Sequence, residues 1–144
     1  MFQSDLVAGQ AIEKKLGDTL IQKGIKVVYN NSTQLDELRK YDLKIYNKDK
    51  EIKIEVKADF MSSVTGNIAV ELNCINKSES KYFAYYIPHK DSFYFIKTSI
   101  LTSKYRNGDY VRLTSSCENG ADLMLLRIDD LDIISTKILK SDSE

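Results

Sequence analysis

The chain has 144 residues, 42% of them hydrophobic, which suits one domain with a real core. Its 21 basic residues balance 21 acidic ones, so nucleic-acid binding would have to use a local patch and not net charge.

Residues 5 to about 23 read as the first helix. Ser4 can cap it, Asp5 suits its positive end, and Ala8, Ile12, Leu16 and Leu20 recur at four-residue spacing, with Gly24 as the stop. Glu13 falls beside that apolar stripe, followed by Lys14 and Lys15. By itself Glu13 reads as a solvated helix residue. Residues 25–29 form a short apolar run bounded by Gly24 and Asn30-Asn31, which predicts a buried strand. Residues 33–40 suit a helical turn, capped by Ser32 or Thr33 and ending on Arg39-Lys40.

The next stretch, residues 41–59, is the most ordered pattern in the chain. Tyr41, Leu43 and Ile45 alternate with Asp42 and Lys44. After Asn47-Lys48-Asp49-Lys50, Ile52, Ile54 and Val56 alternate with Lys53, Glu55 and Lys57. Alternation with period two marks strands with one buried face, and the polar break makes them a hairpin. Folding about Lys48 and Asp49 pairs Ile45 with Ile52, Leu43 with Ile54, and Asp42 with Glu55. Directly opposed residues share a face, so two carboxylates meet on the polar side with Lys57 two residues on. Facing acids repel unless something compensates. A hard divalent cation would, since it is held by one or two carboxylates, water and substrate phosphate. A lysine at its edge can orient or deprotonate water, which suits metal-assisted phosphodiester hydrolysis. The same residues also fit the wet face of an ordinary hairpin, with Lys44 and Lys53 neutralising the acids.

Residues 60–64 read as a loop. Residues 67–74 read as a strand with Ile68, Val70 and Leu72 on one face and Glu71 on the other, and residues 76–81 as a polar turn able to start a short helix. Strands follow at 82–87 and 92–97, joined by the turn Pro88-His89-Lys90-Asp91. A helix at 99–105 leads to the turn Asn107-Gly108-Asp109. Strands at 110–114 and 123–128 come last, residues 129–139 are ambiguous, and 141–144 are a frayed tail. Tyr82, Tyr85, Tyr86, Tyr94 and Tyr105 lie near Lys81, Lys90, Lys97, Lys104 and Arg106. They read either as a wall that stacks bases and holds phosphates or as a half-buried antiparallel sheet.

Several chemistries are excluded. Cys74 and Cys117 are too few for a disulfide framework and form no Cys-x-x-Cys pair, so free thiols in a reducing compartment are expected. The single histidine, His89, sits beside Pro88 in a turn and argues against triads, two-histidine metal sites and histidine-based ribonucleases. No Gly-x-x-x-x-Gly-Lys loop is present. No stretch reads as a membrane span, and no apolar run follows basic residues at the N-terminus, which predicts a cytoplasmic protein without membrane partners.

An Asp opening one strand and a Glu-x-Lys on the next resemble the PD-(D/E)xK nuclease superfamily, with Asp42, Glu55 and Lys57 in the motif positions. Tyr41 stands where the superfamily's name has Pro. The order also resembles it upstream, in Gly9-Gln10-Ala11-Ile12-Glu13 and in Gly24 followed by residues 25–29, and downstream in residues 65–71. The resemblance implies an α/β fold: a mixed restriction-endonuclease-like sheet flanked by helices, with a β-rich C-terminal half. It implies a DNA endonuclease in which Asp42, Glu55, the Val56 carbonyl and an auxiliary Glu13 hold Mg²⁺ or Mn²⁺. Lys57 would position or deprotonate water, and Glu71 is a further candidate at the site. Lys14, Lys15, Lys44, Lys81, Lys104 and Arg106 are the candidate phosphate contacts. Cutting both strands generally needs two sites, which raises a homodimer through the aromatic C-terminal half. RNA stays open as a target. The alternative is a non-catalytic nucleic-acid-binding or protein-interaction module on the same fold.

Overall fold

The apolar stripe of the first helix decides how the chain packs. In the computed structural model, which describes residues 2–38, 40–115 and 122–141, that helix is α1 (Phe2–Gln22). It starts before Ser4, so Ser4 lies inside it and not at its cap. Gly24 ends it at φ +82°, as expected for a C′ glycine. Ile12, Leu16 and Leu20 are buried against one face of a six-stranded sheet. Gly17, on the same helix, lets α1 approach β1 (Lys26–Tyr29) closely: a Cβ there would sit 1.8 Å from the Tyr29 hydroxyl oxygen.

The hairpin forms in the predicted register. β2 (Leu43–Asn47) pairs with β3 (Lys50–Ala58) through Leu43↔Ile54, Ile45↔Ile52 and Asn47↔Lys50. Lys48 and Asp49 both take positive φ, as a tight two-residue turn of the primed type requires. β1 pairs with β2 at the sheet edge. It has one neighbour only and is half-buried at best, which corrects the expected buried strand. A single turn, α2 (Leu35–Leu38), lies between them, with Ser32 Oγ accepting the Gln34 N–H at 3.1 Å. Arg39 lies outside the described residues.

Beyond β3 the chain leaves this sheet. Residues 60–64, expected as a loop, lead into and form most of a helical turn, α3 (Ser62–Thr65), closed by Gly66 at φ +73°. The strand expected over 67–74 stops early: β4 (Asn67–Glu71) gives way to α4 (Leu72–Lys77). The apolar spacing changes from two (Ile68, Val70, Leu72) to three (Leu72, Ile75), and Leu72 serves both patterns. β5 (Tyr82–Ile87) then returns to the first sheet parallel to β3, and β6 (Ser92–Lys97) pairs antiparallel with β5. α5 (Thr98–Arg106) ends before the expected turn, where Gly108 has φ +67°. β7 (Arg112–Ser115) and β8 (Asp122–Arg127) join β4 in a second sheet ordered β4-β8-β7. The ambiguous residues 129–139 hold α6 (Leu131–Ile134) and the start of β9 (Lys137–Lys140), which completes the large sheet as β1-β2-β3-β5-β6-β9. Cys117 and residues 142–144 of the expected tail lie outside the described residues.

The large sheet divides two apolar layers. Leu43, Ile54, Val56, Ala84, Tyr86, Phe93 and Phe95 face α1. Phe83, Tyr85, Ile87, Tyr94 and Ile96 face the small sheet and α5, with Ile68, Val70, Leu101, Met124 and Leu126. The tyrosine wall is therefore not formed. Tyr85 is 1% exposed and Tyr94 4%, and Tyr86 points to the opposite layer. Alternation along β5 and β6 sends these rings into two cores, which is the half-buried-sheet alternative carried further. No helix among the described residues is long and apolar enough to cross a membrane.

Candidate active site

Asp42, Glu55 and Lys57 come together where β2 begins and β3 ends. Ile54 and Val56 point to α1, so Glu55 and Lys57 point to the other face, beside Phe83 and Tyr85 of β5. That face is dry here, and Glu55 is only 9% exposed. Asp42 stands one residue before the ladder, which starts at Leu43↔Ile54. Its own N–H bonds the Ile54 carbonyl at 3.0 Å. Released from the ladder, its carboxylate does not pair squarely with Glu55. It accepts the Val56 N–H at 2.7 Å instead.

Three acids and one lysine share this end of the sheet. Lys57 Nζ is 3.8 Å from Glu55 Oε2. Burial, aided by the Asp42 charge and opposed by Lys57, pushes Glu55 up to about 8. Burial and the neighbouring Asp42 raise Glu13, on α1, to about 7. Burial raises Asp42 as well, against the pull of the Val56 N–H and Lys57. Burial works against the Lys57 ammonium, but Cys74, Glu55 and Glu71 beside it keep it above the usual lysine range. The acids are short of positive charge. Carboxylate oxygens are hard donors, so the set fits a hard divalent cation. Among the described residues, no three His, Cys, Asp or Glu side chains are already gathered as a finished metal cage. Asp42 is turned onto Val56, and Glu55 faces the Ser78 hydroxyl at 3.5 Å.

The structure also places residues that the sequence reading passed over. Ser78 Oγ lies 3.0 Å from the Lys40 carbonyl as well as near Glu55. Cys74, read as a free thiol of no account, touches Lys57 at 3.3 Å and Glu71 at 3.2 Å. The signal was present as the i, i+3 spacing of Glu71 and Cys74, but it has meaning only if a helix starts at Leu72.

The basic candidates are scattered. Lys14 pairs with Asp18 at 2.8 Å on the exposed side of α1, next to a cleft lined by Glu13, Tyr29, Asn30 and Asp42. Lys15 meets Asp91 at 3.2 Å and lies over the Tyr86 ring. Lys44, on β2, sits 3.7 Å from Glu51. Lys81 packs over Tyr82. Lys104 pairs with Asp109 at 2.7 Å, and Arg106 ends α5. Among the described residues, no hydrogen bond or ion pair joins Lys81, Lys104 or Arg106 to the acids.

No family model and no curated protein sequence matches the chain. Solved structures do match its architecture. A bacterial homing endonuclease superposes with a TM-score of 0.55 over 84% of this chain and 74% of its own, at 17% identity. A Holliday junction resolvase, Hjc of Archaeoglobus fulgidus, gives 0.55 over 88% of both chains at 12% identity. The chain shares the fold of these two nucleases. Asp42, Glu55 and Lys57, quoted from the sequence for the resemblance, are the residues that cluster at the mouth of the hairpin.

Proposed function

We propose that the protein is a metal-dependent nuclease that hydrolyses DNA phosphodiester bonds at the Asp42, Glu55 and Lys57 site. One observation carries the reading: three acids with raised carboxyl pKa values share a dry strand end with one lysine, in a chain with a nuclease fold. Asp42 and Glu55 hold the cation, with the Val56 carbonyl and Glu13 as further ligands. Mg²⁺ or Mn²⁺ held there would offset the charge of the acids and supply Lewis-acid polarisation of a phosphate oxygen. Lys57 stays protonated at neutral pH, so it orients the attacking water and the phosphate by donating hydrogen bonds. Positioning is therefore favoured over deprotonation for this side chain. Lys14, beside the cleft that holds Glu13 and Asp42, is the phosphate contact best placed to serve it.

The test is a cleavage panel of single-stranded, duplex, flapped and four-way-junction DNA, with an RNA arm, in Mg²⁺ and Mn²⁺. Cleavage by the wild-type protein and none by a folded Asp42→Asn variant is the expected result. Equal cleavage by that variant, or no calorimetric metal binding by the wild type, would remove the reading and leave a non-catalytic module.

A further inference from the structure

The lysine of this site has a second anchor. On β3, Lys57 is the ladder neighbour of Tyr85, and its ammonium reaches the start of α4. There Nζ donates to Cys74 Sγ at 3.3 Å, closer than Glu55 Oε2 at 3.8 Å. The Cys74 thiol donates in turn to Glu71 Oε2 at 3.2 Å.

A thiol has one proton to give and lone pairs to accept with. In this chain the proton goes to Glu71 and a lone pair faces the ammonium, so the Glu71 contact needs the neutral thiol. Burial pushes the thiol up to about 11, Lys57 opposing and Glu71 adding. A nucleophilic or metal-binding cysteine needs the thiolate, so Cys74 suits neither task. A carboxylate at this position would compete with Glu55 for the ammonium. The neutral sulfur is a weak acceptor that can aim Lys57 without drawing it away. The fold supplies the spacing. β4 ends at Glu71 in extended geometry, α4 starts at Leu72, and one turn puts Cys74 on the side of Glu71.

We propose that Glu71 and Cys74 are positioning residues that hold the Lys57 ammonium beside Glu55. The proposal rests on the nuclease reading of the same site. It assigns Glu71 a role through the thiol and not as a metal ligand.

Three variants test it: Cys74→Ala, which cuts the chain; Cys74→Ser, which keeps a donor and an acceptor; and Glu71→Gln. Each is measured for single-turnover rate in Mg²⁺, for DNA affinity in Ca²⁺, and for the Lys57 ¹⁵Nζ ammonium signal, assigned with Lys57→Arg. That signal is visible only while hydrogen bonds slow exchange with water. Cys74→Ala should slow cleavage by roughly 10²-fold, the scale of an ångström of misplacement, while affinity changes less than about twofold. It should also lose the Lys57 signal, and Cys74→Ser should recover most of both. Glu71→Gln should lie between them. An unchanged rate and an unchanged Lys57 signal in Cys74→Ala overturn the proposal and leave the nuclease reading standing. If the wild type cuts no substrate, that reading fails, and the Lys57 signal alone still decides whether the tether exists.

Discussion

Removing the Glu55 charge should stabilise the metal-free protein. In the unfolded chain the Glu55 carboxyl titrates near 4.5, and in the folded one near 8. Between these values the folded state holds a proton that the unfolded state has lost, so stability falls as pH rises through the window. At pH 7 the difference in pH from 4.5 is about 2.5 units, which at 1.36 kcal/mol per unit is a cost of about 3 kcal/mol. Glu55→Gln removes the titration and keeps an acceptor for Ser78. Urea unfolding in EDTA at about pH 5 and pH 8 should show the variant gaining roughly 1–3 kcal/mol on the wild type at the higher pH and little at the lower. Mg²⁺ should reverse the order, because only the wild type offers both carboxylates to it. The difference between the two proteins is the quantity to read, since carboxylates away from this site cancel in it. A difference that does not change with pH, or one that grows toward acid, would refute the electrostatic account of this site.

Four further outcomes are expected. Asp42→Asn should abolish Mg²⁺-dependent cleavage while unfolding at an unchanged or higher urea concentration, because the amide oxygen still accepts the Val56 N–H. Lys57→Ala should lower the single-turnover rate by orders of magnitude with little change in DNA affinity in Ca²⁺, whereas Lys14→Ala should weaken binding and reduce its salt slope by about 1. Gly17→Ala should destabilise the fold by about 1–3 kcal/mol in urea, since the new methyl meets Tyr29, and Tyr29→Phe should restore part of the loss. Light scattering should show a homodimer under conditions of efficient double-strand cleavage; a monomer that cuts both strands would remove that expectation.

What could be read from the sequence was local. The hairpin register follows from alternation that closes within residues 41–59, and β2 and β3 keep it from Leu43↔Ile54 to Asn47↔Lys50, but not at Asp42 and Glu55. β5 and β6 match residues 82–87 and 92–97 for the same reason. Errors arose where a residue's environment is set by a distant partner. β1 has a strand's composition, but its exposure depends on its place at the sheet edge. Residues 72–74 continue a strand pattern on paper, yet Leu72 and Ile75 find their apolar layer as a helix. The tyrosines of β5 and β6 look like a surface because the sequence does not show that both faces of their sheet are covered.

The same topology explains why the acids are perturbed. Glu-x-Lys on the open face of an edge hairpin would be solvated and ordinary. Here β3 is central, and its next neighbour, β5, runs parallel to it. Parallel neighbours cannot be joined by a tight turn; they need a crossover of a dozen residues or more. Residues 59–81 are that crossover. They carry β4 into the second sheet and bring α4 and Ser78 back over the hairpin mouth. Phe83 and Tyr85 close the face beside Glu55 and Lys57. The connection that makes the sheet parallel is thus the one that dries the carboxylates and delivers Cys74 and Glu71 to the lysine. A tight turn could not make β5 parallel to β3, and it would bring neither α4 nor Ser78 to Glu55 and Lys57.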